Sequence, residues 1–251
     1  MQSISTMLRR RWLAMSALAI SLIACLAFAG VAFAGTSAGP VYKTYDGKQY
    51  ALTTTCSVMS GVGWGTGKIS TSTAVSSGYL AVELRVYKAG GSCISKNKSV
   101  SNKSTSTWSS MASGTTSTKQ YQAAATGFVW RPSLSAYSSF ESGFTPYARS
   151  ASIVPLAPLA AYEVNDAGQT FGSLYMRDAY GAEAPDLILV EGEAGKEGYV
   201  YASDFDGEEL PADPEKAAAI TGKDPEFIPV YLADGVTQID VFKITFDGAA
   251  E

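Results

Sequence analysis

The chain has 251 residues and no histidine, so it lacks the usual general base for a Ser or Cys nucleophile and the commonest metal ligand. Its formal net charge of −4 conceals a reversal along the chain. Residues 35–150 hold eleven Lys/Arg against three Asp/Glu, and residues 151–251 hold five against twenty.

Arg9, Arg10 and Arg11 precede an apolar run from Trp12 to Gly35, broken only by Ser16 and Ser21 and passing through Ala32-Phe33-Ala34. A positive start, an apolar middle and a small-x-small exit predict an export signal over 1–34, cut between Ala34 and Gly35. The run is also long enough to span a bilayer as an uncleaved anchor. Leu22-Ile23-Ala24-Cys25 fits a lipoprotein cleavage site, although apolar residues rather than a polar tether follow Cys25. The chain is therefore expected to be exported, extracellular or at the cell surface. Membrane contact is expected only if this segment stays uncleaved or Cys25 is lipidated, and no nucleic-acid partner is expected.

Residues 35–149 read as a basic β-domain, a sandwich or open barrel rich in Ser, Thr, Gly and Tyr. Tyr50–Met59 predicts a strand, and so does Tyr79–Lys88. In the latter Leu80, Val82, Leu84 and Val86 alternate with Ala81, Glu83, Arg85 and Tyr87, the pattern of a half-buried strand. Ala89-Gly90-Gly91 predicts a turn into a returning strand at Cys93-Ile94. Ser95–Thr118, mostly Ser, Thr, Lys and Asn, is expected to be a mobile loop or a solvated edge hairpin. Phe128-Val129-Trp130 predicts a strand stopped by Pro132. Gly61 to Lys68 superficially suggests a phosphate loop, but Val62 stands where a glycine is required and Ile69 where Ser or Thr is required. The glycines are expected to form a bend between strands.

Without the export signal two cysteines remain, Cys56 and Cys93. In an oxidising compartment such a pair predicts a disulfide, worth about 4 kcal/mol in the chain-entropy picture, against a competing reading as two buried thiols. Two cysteines without histidine make a poor zinc site.

Residues 150–161, apolar with Pro155 and Pro158, read as an extended linker. Residues 162–251 read as a small acidic α+β domain with one short helix. Strands are predicted at Leu187–Val190 and Gly198–Tyr201. Asp213 as N-cap, Pro214 in the first turn and Gly222 as a stop predict a helix over 214–221. Asp234-Gly235 predicts a hairpin between Ile228–Leu232 and Ile239–Phe246.

Several local motifs carry a resemblance. Tyr162-x-Val164-Asn165-x-x-Gly168-x-Thr170-Phe171-Gly172-Ser173, Pro185-Asp186-Leu187-Ile188, Gly198-Tyr199-Val200, Ser203-Asp204 and Ile228-Pro229-Val230-Tyr231 before Asp234-Gly235 resemble uncharacterised exported proteins of Gram-positive bacteria. Tyr79-Leu80 to Leu84, Tyr87-Lys88 and Gly91-Ser92 resemble a second exported β-domain. The resemblance implies export and two modules, and no activity. The acidic turn followed by Gly-Tyr-Val and Ser-Asp is also similar to bacterial Src-homology-3-type cell-wall barrels, which implies binding of wall peptides. The predicted helix and final hairpin depart from that pattern.

Asp204, Asp206, Glu208 and Glu215 match the spacing of a calcium loop, but Glu209 replaces its required glycine. No cofactor and no catalytic residue is expected. The functional expectation is a non-enzymatic envelope protein that binds an anionic cell-wall polymer or glycan. Lys96, Lys98 and Lys103 would supply charge, and Trp64 and Trp108 flat apolar contact. Docking of a protein partner through the acidic half is the alternative, and an envelope hydrolase a more remote one.

Overall fold

The computed structural model describes residues 35–117, 119–149, 162–207 and 209–249. The export signal over 1–34, with Cys25 and Ala34, and the linker over 150–161 lie outside the described residues.

The fold is mainly β. A first sheet of five strands runs in the order β1 (Thr36–Tyr45), β2 (Lys48–Met59), β3 (Val62–Val75), β6 (Thr105–Thr115) and β16 (Gly248–Ala249). Against it packs a second, larger sheet containing β8 (Ala136–Phe144), β7 (Gln120–Arg131), β4 (Leu80–Lys88) and β5 (Cys93–Val100). Their facing side chains, among them Leu52, Ile69, Leu80, Val82, Leu84 and Trp108, form the sandwich core. The two-residue β9 (Ala148–Arg149) pairs with the start of β7.

The second sheet continues past residue 162. Beyond β10 (Glu163–Val164) and β11 (Thr170–Gly172) come β12 (Leu187–Glu191), β13 (Glu197–Tyr201), β14 (Glu226–Tyr231) and β15 (Gln238–Thr245). β5 joins the two parts. It pairs with β15 at Ile244–Lys96 and Thr245–Asn97, and with β12 at Val190–Cys93. Strands β12 to β15 and β5 thereby close into a small barrel around Ile188, Val200, Val230 and Phe242.

From Ala34 to Glu251 the chain is one compact unit, and the carboxyl-terminal strands share β5 with the sandwich. The described residues also hold three short helices instead of one: α1 (Tyr175–Tyr180), α2 (Ala202–Asp206) and α3 (Pro214–Ala218). α3 begins as expected, with the Asp213 carboxylate accepting from Glu215 N.

The segment 95–118 is neither mobile loop nor solvated edge. Residues 95–115 belong to β5, the following turn and β6, and Lys96, Asn97, Lys98, Ser99 and Ser110 are all buried. Their polarity is met inside the fold. Asn97 donates to Met111 O at 2.8 Å and to Asp247 O at 2.5 Å, and Trp108 Nε1 donates to Ser99 Oγ at 3.1 Å. β4 is likewise buried on both faces rather than one.

The Gly61–Lys68 segment is a turn only at Gly61, whose φ is +82°. From Val62 onward it is β3, with Gly63, Gly65 and Gly67 alternating on the inner face. A Cβ at Gly63 would stand 2.3 Å from the Tyr121 ring, and one at Gly67 would stand 2.8 Å from a Val82 methyl. The glycines let the two sheets approach.

Cys56 and Cys93 are free thiols, which corrects the expected disulfide. Cys56 belongs to the sandwich core and Cys93 to the barrel core, on opposite faces of the second sheet. Burial pushes both thiols up to about 12.

Candidate functional site

Two basic side chains of the amino-terminal half, Arg85 and Lys88, pair with carboxylates of the other half, and Lys96 and Arg131 pair with carboxylates of their own. Strand register sets Lys98, Glu83, Thr126 and Glu141 in one row across β5, β4, β7 and β8, with Lys96 and Arg85 in the next. α1 lays Asp178 over this face. Arg85, fully buried, donates Nε to Asp178 Oδ2 at 2.9 Å and Nη2 to Asp178 Oδ1 at 3.2 Å. It also reaches Glu83 at 2.5 Å, Thr126 at 3.0 Å and Glu141 at 3.2 Å. Tyr87 donates to the same Asp178 Oδ2 at 2.6 Å.

Lys96 meets Glu83 at 3.2 Å, donates to Phe205 O and lies 4.2 Å from the Phe205 ring centroid. Lys88 pairs with Glu191 and, at 3.0 Å, with Glu197. Burial alone would raise the Glu83 carboxyl, but Lys96 and Arg85 outweigh it and hold it at about 2. Glu141 is pushed the other way, upward by burial against the opposing pull of Arg85. Burial lowers Lys96, with Glu83 opposing. Charges so buried and so fully paired hold the fold together and are poor partners for an outside polymer.

The expected contact residues therefore separate. Lys96, Lys98 and Trp108 are buried: Trp108 points into the sandwich core, and Lys96 and Lys98 lie beside Arg85 and Glu83 on the second sheet. Trp64 and Lys103 are exposed. Trp64 stands opposite Ser113, and Lys103 precedes Thr105 at the other end of β6. At about 3.3 Å per residue the two lie roughly 30 Å apart, so they do not form one compact site.

What Trp64 does belong to is the outer face of the first sheet. No Asp or Glu occurs in β1, β2, β3 or β6. Register places Ser57, Trp64 and Ser113 in one row, Thr55, Thr66 and Met111 in the next, then Thr53, Lys68 and Ser109, and then Tyr42, Ala51, Ser70 and Thr107. Trp64, Met111 and Tyr42 are 41%, 60% and 56% exposed. Lys43, on the edge strand, is exposed but pairs in register with inward-facing Tyr50 and so lies off this face. Exposed Lys119 lies in the turn after β6, its stem beside Gly61, and Lys103 lies at the far end. The face is a hydroxyl lattice with three large apolar side chains and a basic border. Sequence reasoning found Trp64 and missed the face, whose signal is the absence of any acid between Asp46 and Glu83 and between Glu83 and Glu141.

The calcium candidates are scattered. Asp204 and Asp206 lie on α2, where Asp206 accepts from Arg177 at 3.3 Å. Glu215 lies in the first turn of α3, and Glu208 is outside the described residues. Among the described residues no three Asp, Glu or Cys converge as a metal site. No described helix is long and apolar enough to cross a membrane.

No family model, no curated protein and no solved structure matches this chain.

Proposed function

We propose that the chain is an exported, non-enzymatic protein that binds an anionic cell-wall polymer through the outer face of its first sheet. The observation that carries this reading is the acid-free, Ser/Thr-rich face with Trp64 exposed upon it and Lys103 and Lys119 at its ends. A flexible polyanion meets no carboxylate there. Hydroxyl groups both donate and accept along its length, and the indole supplies a flat apolar contact. The basic border draws the polymer in, an attraction screened beyond about 10 Å at 0.1 M salt. The arginine-led apolar amino terminus supports export. Co-sedimentation of the chain with purified wall tests the reading. Binding is expected at low salt and should weaken steeply as salt rises, while binding indifferent to salt, or none, would overturn it.

Docking of a protein partner is the second reading. It rests on Val164, Leu232 and Val236, which are 62%, 46% and 78% exposed near one end of the barrel. Asn165 Nδ2 ties β10 to the β14–β15 hairpin by donating to Ala233 O at 2.9 Å. A Val236→Lys variant that still binds wall polymer but loses a co-purifying protein would favour this reading.

A further inference from the structure

We propose that a second site, a cleft on the outer face of the second sheet, binds a neutral sugar unit. It is independent of the polymer-binding face, which lies on the other sheet. The cleft encloses about 470 Å³, within the range of small-ligand sites. Its floor is the row Lys98, Glu83, Thr126 and Glu141, with Arg85 behind. Phe128, Tyr137 and Leu210 form an apolar wall, and Asp206, Gly207 and Glu209 also line the cleft. A second cavity of about 500 Å³ shares Lys98, Asp206, Gly207 and Glu209 with the first, which leaves room for a longer chain.

Charge decides the ligand class. Arg85, Lys98 and Arg177 line the cleft together with Glu83, Glu141, Asp206 and Glu209. An anionic ligand would meet four carboxylates, and a cationic ligand three cations. Opposite charges adjoin throughout, as in Arg85 with Glu141 at 3.2 Å and Arg177 with Asp206 at 3.3 Å. A hydroxyl is both donor and acceptor, so neighbouring sugar hydroxyls can bridge a carboxylate and a cation without bringing net charge. The groups open to such contact are Glu141, Asp206 and Arg177, whose side chains are 40%, 50% and 20% exposed, and the exposed Glu209. The C–H face of a pyranose ring fits the aromatic wall, where burial of apolar area supplies the non-directional part of the affinity.

The test is calorimetric titration of the full chain with N-acetylglucosamine, its β-1,4-linked dimer, glucosamine and glucuronic acid. The neutral sugars should bind, the dimer more tightly, and the charged ones at least about tenfold more weakly. Phe128→Ala and Glu209→Gln should each weaken dimer binding by about tenfold, whereas Trp64→Ala should leave it unchanged. Glu209 is exposed beside the cleft, so its variant decides the matter even if Phe128→Ala fails to fold. No binding of either neutral sugar, equal binding of the charged ones, or wild-type affinity in Glu209→Gln would overturn the proposal.

Discussion

Arg85 on β4 and Asp178 on α1, 93 residues apart in sequence, meet through two hydrogen bonds of 2.9 and 3.2 Å with neither side chain exposed. This pair fastens the carboxyl-terminal half to the sandwich. With Lys88, which pairs with Glu191 and Glu197, it joins the basic half to the acidic half within one compact unit.

Removing one partner of a buried, hydrogen-bonded ion pair strands the other. Arg85→Met leaves Asp178, Glu83 and Glu141 without their shared cation and should destabilise the fold by about 3–5 kcal/mol. Urea unfolding of the variant measures this. A loss below about 1 kcal/mol would show that the network contributes little to stability.

Glu83 makes stability depend on pH. Its carboxyl lies at about 2 in the fold against an ordinary 4.5. As pH falls the unfolded chain takes up this proton first, so the contribution is complete above about pH 4.5 and lost toward pH 2. It amounts to roughly 3 kcal/mol. Glu141, raised by burial, acts in the opposite sense, its contribution being present at low pH and lost as pH rises. Unfolding midpoints measured from pH 6 to 2.5 should fall less steeply in Glu83→Gln than in the wild type, and equal slopes would contradict the assignment.

The thiols offer a chemical check. Thiolate is the reactive form, and burial holds Cys56 and Cys93 near 12. Iodoacetamide at pH 8 should leave both untouched in the native chain and alkylate both after unfolding without reductant. Peptide mapping reads the result. A Cys56–Cys93 linked peptide would refute the separation of the two cores.

Gly63 permits close packing of the sheets. Its neighbour Tyr121 is fixed by donating to Gly61 O at 2.6 Å and accepting from Thr116 N at 3.0 Å, so the ring has little freedom to retreat. Gly63→Ala should cost about 1–3 kcal/mol by overpacking. A cost under 0.5 kcal/mol, about the effect of an ordinary surface change, would mean that the ring yields freely.

Regular patterns were readable in the sequence. The alternation of Leu80 to Val86 gave β4, Asp213-Pro214 gave the start of α3, and Asp234-Gly235 gave a hairpin whose turn is held by Asp234 accepting from Val236 N and Thr237 N. β5 and β6 were hidden because a run of Ser, Lys and Asn does not disclose its partners. Lys96 is buried only because Glu83 and Phe205 are there, and Asn97 because Asp247 is. The alternating glycines of β3 resembled a bend for a related reason, since what they accommodate lies on β4 and β7. Trp64 stood out as an aromatic among small residues. The sheet face around it emerged only from strand register, which places residues from four separate segments side by side.

The central claim is that the first sheet binds an anionic wall polymer electrostatically. It is tested most directly by co-sedimentation of two charge-reversed full-length chains with purified wall at low salt. One carries Lys103→Glu and Lys119→Glu, at the two ends of the proposed face. The other carries Lys216→Glu and Lys223→Glu, the same change of charge away from it. The first should lose about tenfold or more in affinity and the second should bind like the wild type. Equal loss in both would reduce the effect to net charge, and unchanged binding in the first would contradict the assignment of the face.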